Sequence, residues 1–259
     1  MQAFAALLDG LIYTRSRDHK VRLIADYFRT TPDPDRGWAL AALAGTLSIS
    51  TVKAAAIRAM AEERFDPMLF RMSRDYVGDT AETVALMWPD VSQDVVAPTV
   101  SEVIDVLSGT SRARAPAVLA ELMDRLDANG RYALLKLATG GMRVGISARL
   151  AKTAFGQAFG LSVDDVEEVW HALRPPYAEL FAWGEGRTER PDPADSAFFR
   201  PFMLAHPLED GSVHLDEFVA EWKWDGIRIQ IASTGGETRL FSRGGDEVTG
   251  SFPEIAAAF

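Results

Sequence analysis

The spacing of apolar residues changes once along this chain, and that change limits the fold more than any other feature. Through the first 185 residues, side chains suited to burial recur three and four apart: Phe4, Leu7, Leu8 and Leu11, then Val21, Ile24 and Phe28, then Trp38, Ala41, Ala42 and Gly45. That period lays one apolar stripe along an α-helix. Breaks fall at Thr31-Pro-Asp-Pro34, Trp88-Pro89, Asn129-Gly130 and Arg174-Pro-Pro176, where proline or glycine interrupts the helical ladder. Thr99 with Glu102 and Ser162 with Asp165 have the spacing of capping boxes, which satisfy the free amides of a helix start. Short helices with short connections predict an all-helical domain of about ten elements. There is no fixed-period repeat.

From Gly184 to Asp195 the chain is polar, proline-bearing and aperiodic, the character of an interdomain linker. Beyond it the period drops to two, with Ile227, Ile229 and Ile231 alternating with Arg228 and Gln230, a strand signal. If 217–224 is also a strand, Glu221 and Lys223 share one face, while Trp222 and Trp224 pack into a sheet core on the other. Asp225-Gly226 would turn the hairpin and return Arg228 beside Lys223. The predicted fold class is therefore multidomain, α and α+β: an all-helical N-terminal domain (1–185), a linker (186–197) and the start of an antiparallel-β domain (198–259).

With 259 residues and 47% apolar content, the chain can bury the core of one large or two medium domains. It has no cysteine, which excludes disulfides and thiolate metal sites and fits a cytoplasmic protein. No apolar run reaches membrane-spanning length and the N-terminus lacks a signal-peptide pattern, so a soluble protein without a membrane partner is expected. A net charge of −10 argues against coating nucleic acid over the whole surface.

One stretch runs against that balance. From Arg131 to Leu161 there are Arg131, Lys136, Arg143, Arg149 and Lys152, and no Asp or Glu. At its centre, Thr139-Gly-Gly-Met-Arg-Val-Gly-Ile-Ser147 carries three glycines that permit close backbone approach, and Ser147 is placed to cap a helix running to Phe159. Amides at a helix start with three cations nearby form a phosphate cradle; the same residues equally suit a helix hairpin with a solvated basic face. Arg15, Arg17, Lys20 and Arg22 make a second cluster, more often a solvated helix face than a nucleic-acid contact.

The sharpest chemical signal is Glu221-Trp-Lys-Trp-Asp-Gly-Ile-Arg228. A lysine acts as a nucleophile only as the free amine, which burial against tryptophan or a nearby cation favours and a close carboxylate opposes. Glu221 thus suits reading a ligand better than pairing with Lys223. The plain alternative is an amphipathic hairpin whose lysine is solvated.

This octet resembles the adenylation motif of the covalent nucleotidyltransferases: ATP-dependent DNA ligases, RNA ligases and mRNA capping enzymes. The resemblance implies that Lys223 attacks the α-phosphorus of a nucleotide to form lysyl-AMP, that Glu221 contacts adenine, and that Arg228 lies near the ribose and phosphate. Arg200-Pro-Phe-Met-Leu-Ala-His-Pro207 resembles the segment preceding the lysine in ATP-dependent DNA ligases, and Phe241-Ser-Arg-Gly-Gly-Asp-Glu-Val-Thr249 with Phe252-Pro253-Glu254-Ile255 resembles the one following it. Arg243 is then a second nucleotide- or nick-contacting arginine, where a solvated turn arginine is the alternative. His206, before a proline, reads as structural.

The glycine and arginine loop is similar to the one with which the helical domain of DNA ligases touches the duplex backbone. By that match Gly140, Met142, Arg143, Gly145, Arg149 and Lys152 are the DNA-binding residues, and Gly141 stands where the family often has a basic residue. The family implies ATP and Mg²⁺ as cofactors, nicked duplex DNA as partner, a monomer that encircles it, and work in replication, repair or recombination. No metal ligands are assignable. The expected protein is the DNA-binding domain and the opening of the adenylation domain, a fragment that seals nicks weakly or not at all. An RNA ligase or capping-type transferase, or a non-catalytic DNA-binding module, is the alternative. A lysine freely exposed and far from both neighbouring arginines would count against the enzyme.

Overall fold

The computed structural model describes residues 1–49, 51–89, 95–192, 197–200, 202–203, 219 and 221–259. The chain divides into two compact units, Met1–Val166 with Arg174–Glu189 and Glu167–Leu173 with Arg190–Phe259. It is mostly helical, with a small antiparallel sheet towards the C-terminal end.

The first three apolar stripes become α1 (Gln2–Tyr13), α2 (Arg17–Thr30) and α3 (Asp35–Ala44). Phe4, Leu8 and Leu11 of α1 and Ile24 and Phe28 of α2 are at most 1% exposed, so the 3.6-residue period located the core face directly. There follow α4 (Ala54–Arg64), α5 (Pro67–Val77), α6 (Thr80–Met87), α7 (Val100–Ser108), α8 (Ala115–Met123) and α9 (Ala128–Thr139). The series closes with α10 (Ala148–Phe159), α11 (Val163–Trp170) and α12 (Ala178–Gly184). No helix among the described residues is long and apolar enough to cross a membrane.

Thr99 caps α7 by accepting the Glu102 amide at 3.0 Å, while the Glu102 carboxylate turns to Arg125 at 2.6 Å instead of back to the cap. Ser162 accepts the Asp165 amide at 3.0 Å, and its hydroxyl donates to the Asp165 carboxylate at 2.6 Å. Helix α10 packs on α2 and α3. Their shared core is aromatic: the Phe181 ring stands edge-on to Phe28 and Phe155, at 5.6 and 5.1 Å between centroids, the arrangement that sets a positive ring edge against a negative face. At the back of α3, a Cβ on Gly37 would lie 1.7 Å from the Pro176 carbonyl oxygen, so only glycine permits that approach.

In the second unit, β1 (Ile229–Thr234) pairs antiparallel with β2 (Glu237–Ser242), Ile231 opposite Leu240. The two-residue turn is Gly235-Gly236, with φ of 56° and 81°; both central residues of a type I′ turn need positive φ. Leu240 and Phe241 of β2 are buried, as are Phe198 and Phe199. The Arg200 amide donates to Gln230 Oε1 at 2.6 Å, and Gln230 Nε2 returns a bond to the Arg200 carbonyl at 2.7 Å, which ties this segment to β1. A turn of 3-10 helix (Thr249–Ser251) and α13 (Pro253–Ala256) follow.

One expectation fails here. Val219 and 221–224, the described part of the predicted strand 217–224, form no strand, and Trp222 and Trp224 are 85% and 86% exposed rather than packed in a sheet core. The hairpin turns at Gly235-Gly236, not at Asp225-Gly226, so Arg228 does not return across a turn to Lys223. The physical reason lies in the ladder: alternation fixes which face a strand would bury, but a strand exists only where a neighbour accepts its backbone hydrogen bonds. Among the described residues nothing pairs with 221–228. Residues 193–196 of the predicted linker and His206 lie outside the described residues.

Candidate functional site

Four of the six residues singled out for nucleic-acid contact, Gly140, Met142, Arg143 and Gly145, lie in the loop between α9 and α10. Gly140 closes α9 with φ 70°. Met142 and Val144 turn inward, at 9% and 4% exposure, and the intervening Arg143 is exposed with φ 46°. Gly145 follows at φ 66°. Ser147 then caps α10, accepting the Leu150 amide at 3.2 Å, and the helix runs to Phe159. Clefts of about 340 and 360 Å³ flank the loop, and Arg143 and Gly141 line both.

The island's cations separate by burial. Arg149 is exposed on the first turn of α10, with a guanidinium nitrogen 3.7 Å from Asp164, a solvated pair that holds it weakly. Lys152, by contrast, is 5% exposed. Its stem is thus buried, unlike those of Arg143 and Arg149. Arg131 is 1% exposed and donates to the carbonyls of Met123, Trp88 and Pro89 at 3.1, 2.9 and 2.7 Å. Lys136 meets Asp79 at 2.5 Å. Burial alone would raise the Asp79 carboxyl, but hydrogen bonds from Lys136 and the Glu82 amide, with the lysine's charge, hold it below the usual carboxylate range. These two cations are structural.

A residue outside the island joins it. Lys20 of α2 donates from Nζ to the Val144 carbonyl at 2.5 Å. Its sequence signal was its place four residues before Ile24, on the margin of the apolar stripe, where a lysine stem can lie along the core and deliver its ammonium at the edge.

The second set of candidates is not assembled in this way. Glu221, Lys223 and Arg228 are exposed, and no hydrogen bond, ion pair or ring contact joins Lys223 to another described residue. Arg228 has its guanidinium carbon 5.9 Å from the Phe202 ring centroid, the outer limit of a cation–π contact. Arg243 sits exposed on a tight turn in which the Ser242 amide donates to the Asp246 carbonyl at 2.8 Å. That turn is seated by Gly245, where a Cβ would lie 3.0 Å from the Phe199 ring and 3.1 Å from His171. Among the described residues no group of three or more His, Asp or Glu side chains is placed to hold a metal ion.

Comparison with known proteins bears on both units. Residues 202–259 match the family model described as ATP dependent DNA ligase domain. The chain is 32% identical to DNA ligase 1 of Korarchaeum cryptofilum over 61% of this chain and 30% of that protein. It is 34% identical to a probable DNA ligase of Rhodococcus opacus, over 65% of this chain and 36% of that one. A probable DNA ligase of Beutenbergia cavernae is 30% identical over 98% of this chain and 48% of its own length. The chain thus spans less than half the length of each of these relatives.

Proposed function

We propose that the chain is part of an ATP-dependent DNA ligase, that Lys223 is the residue that accepts adenylate, and that the loop between α9 and α10, with the first turn of α10, holds the duplex. The observation that carries this reading is the family match over 202–259, which contains the whole Glu221–Arg228 octet.

In the proposed reaction the free amine of Lys223 attacks the α-phosphorus of ATP. A P–N bond forms, the bond to the bridging oxygen breaks, pyrophosphate leaves and the amine proton passes to solvent. Glu221 reads the adenine, and Arg228 and Arg243 offset charge on the ribose-phosphate side, since guanidinium donors match developing phosphate oxygens. AMP then passes to the 5′-phosphate at a nick, and the 3′-hydroxyl displaces it. The helical unit contributes sequence-independent grip: Arg143 is exposed on a loop whose glycines admit a close backbone, and Arg149 is exposed on the first turn of α10 beside it. Magnesium would offset phosphate charge in such a transfer; no step is assigned to it. A monomer working in the cytoplasm completes the proposal.

The exposure of Lys223 favours a second reading, a DNA-binding module without chemistry. Incubation with ATP or GTP followed by mass spectrometry separates the readings. The proposal expects an AMP adduct on Lys223 from ATP, absent in Lys223→Ala. A GMP adduct or a preference for RNA ends would favour a capping-type or RNA-joining enzyme, and no adduct under any condition would favour the binding module.

A further inference from the structure

Arg143 holds a left-handed conformation, φ 46°, that a side chain bearing a Cβ keeps only where its surroundings over-determine it. Two restraints are its neighbours, Met142 and Val144, both buried. The third comes from another helix. Lys20 reaches the Val144 carbonyl at 2.5 Å, across 124 residues of sequence. Gly145 leaves room for it, because a Cβ there would lie 2.9 Å from Lys20 Nζ. Lys20 rides on α2, which is packed against α10 and further tied to it where Arg29 donates to the Gln157 and Ala158 carbonyls, both at 2.9 Å. The ammonium is therefore delivered by a rigid element.

We propose that Lys20 is a positioning residue for the phosphate-contacting loop: by holding the Val144 carbonyl it keeps Arg143 turned outward to a duplex phosphate, while making no phosphate contact itself. This rests on the reading that the loop binds DNA. The other members of the basic cluster, Arg15, Arg17 and Arg22, are exposed and make no hydrogen bond to the loop among the described residues. They do not share the role.

A double-mutant cycle tests it. Lys20→Met, Arg143→Ala and the pair are compared for binding to a nicked duplex across a salt series, with Lys20→Arg as the conservative variant. Each single change is expected to weaken binding roughly tenfold, the order of one charge-assisted hydrogen bond, and to lower the salt slope by about 0.9. The pair should be no weaker than Arg143→Ala alone, and Lys20→Arg should restore binding. Losses that add, with the slope falling twice, would show Lys20 meeting phosphate directly and overturn the proposal; so would unchanged binding in Lys20→Met. Hydrogen exchange without DNA gives a readout independent of the DNA-binding reading. Faster exchange at 142–146 in Lys20→Met upholds the restraint even if no form of the protein binds a nick, and unchanged exchange overturns it.

Discussion

At the scale of single residues, the site is sorted by burial rather than by charge. Arg131, Lys136 and Lys152 carry the same formal charge as Arg143 and Arg149, but the first three are at most 5% exposed. Counting cations along the chain located the island and could not make this division, because the partners of Arg131 are carbonyls at 88, 89 and 123, a meeting decided by tertiary packing. Arg143 bears the conformational cost of being presented. Replacing it with glycine, which takes positive φ freely, is expected to stabilise the helical unit by up to about 1 kcal/mol while weakening nicked-duplex binding; urea midpoints and a binding titration measure the two opposite signs. Asp79 gives a pH signature. Its folded-state pKa lies below the ordinary value, so the stabilisation is complete above the unfolded pKa of about 3.9 and is lost as pH falls through the folded value. Asp79→Asn should therefore flatten the acid limb of the stability–pH profile, read from urea midpoints below about pH 4.

At the scale of elements, what is local was legible. Ser147, the helix it starts and the end at Phe159 follow from cap chemistry within a few residues, and the stripes of α1 and α2 marked the buried faces. Ser147→Ala is expected to cost about 1 kcal/mol, the usual loss when a side-chain cap is removed, and to loosen binding by fraying the amides beside Arg149; a urea titration checks the first and a salt titration the second. The strand predicted at 217–224 was not legible in the same sense. Its alternation specified faces, but the neighbour that would complete its ladder is not encoded in the segment. Asp225-Gly226 and Gly235-Gly236 carry equally good local turn signals, and turn chemistry alone does not choose between them.

At the scale of the whole molecule, a net charge of −10 opposes nucleic-acid contact over the whole surface, and the proposal accordingly places it on one local feature, the loop between α9 and α10. The resemblance to the ligases was legible in eight residues, Glu221–Arg228, because the proposed chemistry needs particular side chains at fixed spacing; the surroundings of Lys223 were not, because contacts between segments far apart in sequence are written in neither segment alone. The central claim is that Lys223 carries adenylate on its way to a nick. Its most direct measurement is to incubate the full chain with ATP labelled at the α-phosphate, map the labelled peptide, and then add nicked duplex. The account predicts label on the peptide containing Lys223, none in Lys223→Ala, and transfer of that label to the 5′ end at the nick. Equal labelling of Lys223→Ala, or label that never leaves the protein for the nick, would contradict it.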